Sequence, residues 1–177
     1  MEPFERMLMG GHPNSLGRTL EVVDIIRANP AELEQLYQCY FSSDEVVRLR
    51  VSNAFKRISR EHPDWLLPYI DRFIAEIARI DQASTRWTLA QIFHELDGLL
   101  TPQQRAGAIA VVQRNLTESD DWIVVNQSLT ALGHWARSDA TVKAWLLPHL
   151  ERFLADPRKS VVGTASKVSR MLAGKNA

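Results

Sequence analysis

The sequence predicts an all-α fold, a right-handed α-solenoid of about four helix hairpins closed by a terminal helix. Three observations predict it. The segment Trp65–Ala75, WLLPYIDRFIA, returns at Trp145–Ala155 as WLLPHLERFLA, with seven of eleven residues identical and an offset of 80 residues, two periods of 40. Apolar stripes at helical spacing recur at near-constant steps along the chain. No segment shows the sustained period-two alternation, or the Asn-Gly or Asp-Gly turn between β-branched runs, that a strand pair needs.

In chain order, Met1–Leu8 carries Phe4, Met7 and Leu8, and residues 1–14 read as an N-terminal tail or a cap on the first hairpin. The repeat domain is residues 15–174. Its first unit begins with Leu16, Leu20, Val23 and Ile26, and Leu33, Leu36, Tyr37 and Tyr40 make the second helix. Four later first helices share the spacing i, i+4, i+7, i+11: Val47, Val51, Ala54, Ile58; Thr85, Leu89, Ile92, Leu96; Val125, Leu129, Leu132, Ala136; and Val161, Ala165, Val168, Leu172. The steps between them are 38, 40 and 36 residues, and each set falls on one stripe of a helix. Partner stripes lie between them: Leu66, Ile70, Phe73, Ile77; Ile109, Val112, Leu116; and Leu146, Leu150, Phe153. The last unit has only its first helix. A hairpin alone cannot bury both stripes, so neighbours must stack.

Helix starts are marked by Asn29-Pro30-Ala31-Glu32 and Thr101-Pro102-Gln103-Gln104, both read as capping boxes with Pro at the first helical position. His62-Pro63-Asp64 and Ser138-Asp139 supply further starts, Asp120 or its neighbour caps the helix at Trp122, and Asp97-Gly98 is a stop. Pro68 and Pro148 are equivalent and fit a first helical turn, where a missing N–H costs little, or a shared kink.

The run Ser42–Ile74 resembles a HEAT repeat, with Asp44, Val47, Arg48 and Ala54 where that loose consensus places them, followed by a Pro-Leu-containing helix. Over roughly Ser15–Leu172 the chain is similar to small bacterial proteins of the HEAT-repeat, armadillo-like class. The third unit departs from the pattern, with Arg86 after Thr85 where Val-Arg is usual. The resemblance implies HEAT-like hairpins whose second helices present a concave surface.

Composition narrows function. Lys plus Arg and Asp plus Glu are each 21, so zero net charge gives no bulk attraction to nucleic acid or an anionic membrane. No run reaches the roughly 18 apolar residues of a membrane span. The acidic N-terminal stretch with Glu2 and Glu5 has no apolar core of a secretion signal, which predicts a cytoplasmic protein. The single cysteine, Cys39, reads as a small core residue. Arg48, Arg50, Lys56, Arg57 and Arg60 in one helix, and Arg158, Lys159, Lys167, Arg170 and Lys175 at the C-terminal end, read as solvated faces.

Motifs for catalysis fail on spacing. The loop from Gly11 to Gly17 has glycines one residue too far apart for a phosphate loop, Arg18 in place of Lys and no preceding strand. His94-Glu95 lacks the second His four residues on, where Gly98 stands, and His12, His62, His94, His134 and His149 form no i, i+3 or i, i+4 pair for a metal. No Gly-x-Ser-x-Gly elbow exists. No catalytic residue, cofactor or metal is therefore expected.

Trp65 and Trp145, being repeat-equivalent, are expected to pack, and Trp87 and Trp135 lie on or beside the first-helix stripes. Trp122, after an acidic turn, is the candidate exposed binding aromatic. The expected function is a non-enzymatic recognition or scaffold module for a protein or peptide segment, with no nucleic acid and no membrane as partner. The candidate contacts on the second helices are Arg72, Glu76, Arg79, Arg105, Arg114, His149 and Arg152, the arginines offering bidentate bonds to acidic side chains. The alternatives are a nucleic-acid-binding or base-excising protein, for which the basic helix could supply a patch, and a lyase on the same stack; both would need a carboxylate and an exposed aromatic in one pocket.

Overall fold

The computed structural model describes residues 2–12 and 15–174. Met1, the Pro13-Asn14 part of the glycine loop and Lys175 lie outside the described residues. The chain is all-α, and no strand occurs among the described residues. It packs as two compact units divided between Thr88 and Leu89.

The first unit holds α1 (Phe4–Leu8), α2 (Thr19–Ala28), α3 (Leu33–Gln38), α4 (Glu45–Glu61) and α5 (Ile70–Ala75). The division falls within α6 (Ala83–Glu95). The second unit continues with α7 (Pro102–Glu118), α8 (Trp122–Ala136), α9 (Ala140–Leu154) and the single α10 (Lys159–Leu172). In the first unit α4 is the central helix, packed on α1 and α2. In the second, α8 contacts α7, α9 and α10.

α4 shows why these segments are helices. Asp44 caps it by accepting from the Val46 N–H at 2.8 Å, and Pro63 stops it by disfavouring helical backbone at His62. Val47, Val51, Ala54 and Ile58 are buried as the spacing requires, each large aliphatic among them contributing roughly 1.5–3 kcal/mol. Phe55 joins the core through Tyr40, stacked at 5.4 Å, and Phe73, edge-on at 5.2 Å. The stripes of α6, α8 and α10 are likewise buried, Leu172 only partly. Phe4, Met7 and Leu8 of α1 are buried, and α1 touches α2, α3 and α4.

Four readings need correction. Leu20 is 49% exposed, because α2 starts only at Thr19; Leu16 is outside the helix, and Thr19 and Val22 take the inward places beside Val23 and Ile26. Asn29 caps a 3-10 turn, Pro30–Glu32, without the reciprocal bond of a capping box. Thr101 and Gln104 do make both bonds. Pro148 is not in a first turn but well inside α9, whereas Pro68 sits in a 3-10 segment, Pro63–Tyr69, ahead of α5. Trp65 and Trp145 pack in like environments, half-buried and stacked on histidines, Trp65 on His62 at 3.8 Å and Trp145 on His149 at 4.2 Å. Arg50 is not on a solvated face: it is 1% exposed.

Asp121, rather than Asp120, caps α8, accepting from the Ile123 and Val124 N–H groups. Cys39 is buried, and its burial pushes the thiol up to about 11, away from thiolate chemistry. Between α8 and α10, a Cβ on Gly133 would lie 2.7 Å from Val168 Cγ1, so glycine sets how closely these helices meet.

Candidate functional site

Most of the candidate contacts are already engaged within their own unit. Arg72 on α5 forks onto Glu34 of α3 at 2.7 and 2.9 Å, and its guanidinium lies 3.8 Å from the Tyr37 ring centre. The Arg72 bond draws the Glu34 carboxyl down to about 2. Burial, with Glu76 nearby, pushes Tyr37 up to about 12. Glu76 is exposed and 3.9 Å from Arg72 Nε, and Arg79 is exposed.

In the second unit Arg105 of α7 donates to Asp97 at 2.8 Å and lies 3.7 Å from Asp139. Arg114 pairs with Glu118 one turn on, at 4.0 Å. His149 lies under Trp145, and burial together with Arg152 lowers its pKa. Arg152 is exposed, sits 4.4 Å from the Phe153 ring centre and lines a groove of about 330 Å³ with Ser119, Asp120, Asp156 and Arg158. Arg158 in that groove is bound to Asp156 and to the Asp120 carbonyl. The structure thus gathers Arg72 with Glu76, and leaves Arg79 and Arg152 as the most accessible of the named cations. Trp122 is 50% exposed at the first residue of α8.

Two features escaped the sequence reading. The first is Arg50. Its guanidinium donates to the carbonyls of Leu8 and Gly10 at 2.6 Å, and of His12 and Ser15 at 3.2 Å. The glycine loop therefore presents carbonyl oxygens to a cation, the opposite polarity to the N–H cradle of a phosphate site. Gly17, at φ +50°, brings its backbone so close that a Cβ would be 2.8 Å from Arg50 Cζ. The signal was present: position 50 is i+3 from Val47 and i−4 from Ala54, on the buried stripe.

The second is a polar hub at the end of α6. Asp97 accepts from Arg105 Nε and Trp135 Nε1, each at 2.8 Å, and meets His134 Nε2 at 3.0 Å. Burial alone would raise the Asp97 pKa, but these three partners outweigh it and hold the carboxyl below its usual range. His94 packs on His134 with ring centres 4.7 Å apart, and burial, then His134, lowers its pKa. A cavity of about 250 Å³ opens beside the two rings, walled by Val168 and Met171 and rimmed by Arg137 and Lys167. The pointer in the sequence was the separation of His94 and His134, which is one 40-residue period.

Among the described residues no group of three or more His, Cys, Asp or Glu could hold a metal, and no helix is long and apolar enough to cross a membrane. The family model of the HEAT repeat domain matches residues 11–102, just over half of the chain. Comparison with curated proteins and with solved structures finds no match.

Proposed function

Given that the chain belongs to the HEAT-repeat family, whose repeats generally serve protein interaction or scaffolding, we propose that it is a non-enzymatic recognition module that holds a protein segment on its second helices. The observation that carries this reading is the exposure of two cations, Arg79 in the 3-10 turn that follows α5 and Arg152 on α9, beside arginines such as Arg72 and Arg105 that are internally neutralised. Neutralised residues shape the surface, and the accessible ones meet an acidic partner.

The basic α4 helix supports protein rather than nucleic acid as the partner. Arg50 is buried, and Arg48 donates to Gln82 and to the Ser42 carbonyl. Arg158 near the C-terminal end is occupied by Asp156. A phosphate-tracking stripe needs such groups to be available.

The test is site-specific photo-crosslinking in the native cell from positions 79 and 152. Recurrent adducts to one protein, lost with Arg79→Glu plus Arg152→Glu at unchanged melting temperature, are expected. Adducts to nucleic acid, or none above those from the exposed position 20 on α2, would overturn the reading. Arg72 is unsuitable for reversal, since a glutamate there would face Glu34.

A further inference from the structure

We infer that the cavity between α8 and α10 captures the C-terminal residue of a protein partner, taking its free carboxylate on Arg137 and Lys167 and its apolar side chain against Val168 and Met171. This rests on the recognition reading above and adds the chemistry of what is recognised.

The cavity is a built groove. Thr130, His134 and Arg137 lie on one face of α8 at i, i+4, i+7, and Thr164, Val168 and Met171 have the same spacing on α10. Gly133 lets the two stripes approach, and Asp97 fixes the His134 ring by its Nε2. Nothing here depends on a mobile loop.

Charge decides the sign of the occupant. Elsewhere in this unit Arg105 is matched by Asp97 and Arg158 by Asp156, while Arg152 stays accessible at a separate groove. Arg137 and Lys167 make no ion pair or side-chain hydrogen bond among the described residues, although they flank one cavity. Asp97, the acid facing this side of α8, is already saturated by three partners. An anion is the missing partner.

Volume decides its size. At about 250 Å³ the cavity is smaller than the roughly 300–1,000 Å³ of sites that enclose whole ligands. It suits the end of something longer. Cations and apolar wall share a space of one residue, so carboxylate and apolar group must come from one residue. Within a polypeptide only the last residue carries both, which is the carboxylate-capture mode of peptide recognition.

The test uses the full chain and short peptides ending in Leu with a free carboxylate, the same peptides amidated, peptides ending in Gly, and free isovalerate, followed by titration of the Met171 methyl signal. The free Leu peptide should move that signal and bind at least about tenfold more tightly than the amide, the Gly peptide or isovalerate, each tenfold being about 1.4 kcal/mol. Arg137→Gln with Lys167→Gln should abolish the preference for the free acid while leaving the melting temperature unchanged. Equal binding of acid and amide, equal binding of isovalerate, or an unmoved Met171 signal at millimolar peptide would each overturn the inference. Crosslinks from positions 79 and 152 together with an unmoved Met171 would sink this inference alone; peptide binding without those crosslinks would sink only the second-helix reading.

Discussion

Each unit is organised around one charged side chain, and the two have opposite signs. In Met1–Thr88 the cation Arg50 is sunk into the interior and satisfied by main-chain carbonyls, with no carboxylate paired to it among the described residues. In Leu89–Ala177 the anion Asp97 stays partly accessible, its side chain 18% exposed, and is satisfied by side-chain donors from α7 and α8. The first arrangement fixes a loop that has little apolar content of its own. The second fixes the ends of helices that pack well already. A buried charge thus does different work according to whether the backbone around it has another reason to stay.

Removing Arg50 should give the largest effect. Arg50→Met leaves the Leu8, Gly10, His12 and Ser15 carbonyls without their shared donor and frees α1 to leave the core. The expected loss is about 3–5 kcal/mol in urea unfolding, with proteolysis appearing first around residues 9–12. Arg50→Lys should recover less than half, because an ammonium cannot fan out to four acceptors. A loss below about 1 kcal/mol would mean that the loop holds without its cation, and the contrast between the units would disappear.

Asp97→Asn should cost less, about 1–3 kcal/mol. The amide oxygen can still accept from Trp135, but the charge that holds Arg105 and His134 is gone. The measurement is the urea midpoint at neutral pH. A loss as large as that of Arg50→Met would show that the two hubs carry equal weight.

The two copies of the tryptophan-leucine-proline segment show where sequence is sufficient. Leu66, Ile70 and Phe73, and their equivalents Leu146, Leu150 and Phe153, are all buried, because seven identities preserve the inward stripe. The backbone type is not preserved. In the second copy Asp139 caps Thr141 and Val142, two α turns form, and the helix runs on through Pro148. In the first, Pro63 starts the segment without a side-chain cap and Pro68 follows five residues later, so the chain stays 3-10 up to Tyr69. The periodicity was therefore legible, and helix type depended on flanking residues outside the repeat. The candidate contacts were less legible. Spacing placed Arg72 and Arg105 on outward positions but could not show Glu34 or Asp97 waiting there, since both partners come from another element.

Acid separates the two hubs with the smallest change. The Asp97 carboxyl lies below its usual value in the folded chain because Arg105, His134 and Trp135 outweigh its burial. A group lowered in this way stabilises fully above its unfolded value, about 4 for aspartate, and its contribution is lost as the pH falls through the folded value. The melting-temperature gap between the wild type and Asp97→Asn should therefore be whole at about pH 5, narrow below about pH 4 and close once the carboxyl is protonated. The gap to Arg50→Met involves no carboxylate and should keep its size over the same range. If the Asp97→Asn gap persisted into strong acid, the stabilising element at this hub would be the second oxygen, which the amide replaces with an NH2 group, rather than the charge, and the two hubs would respond to acid alike.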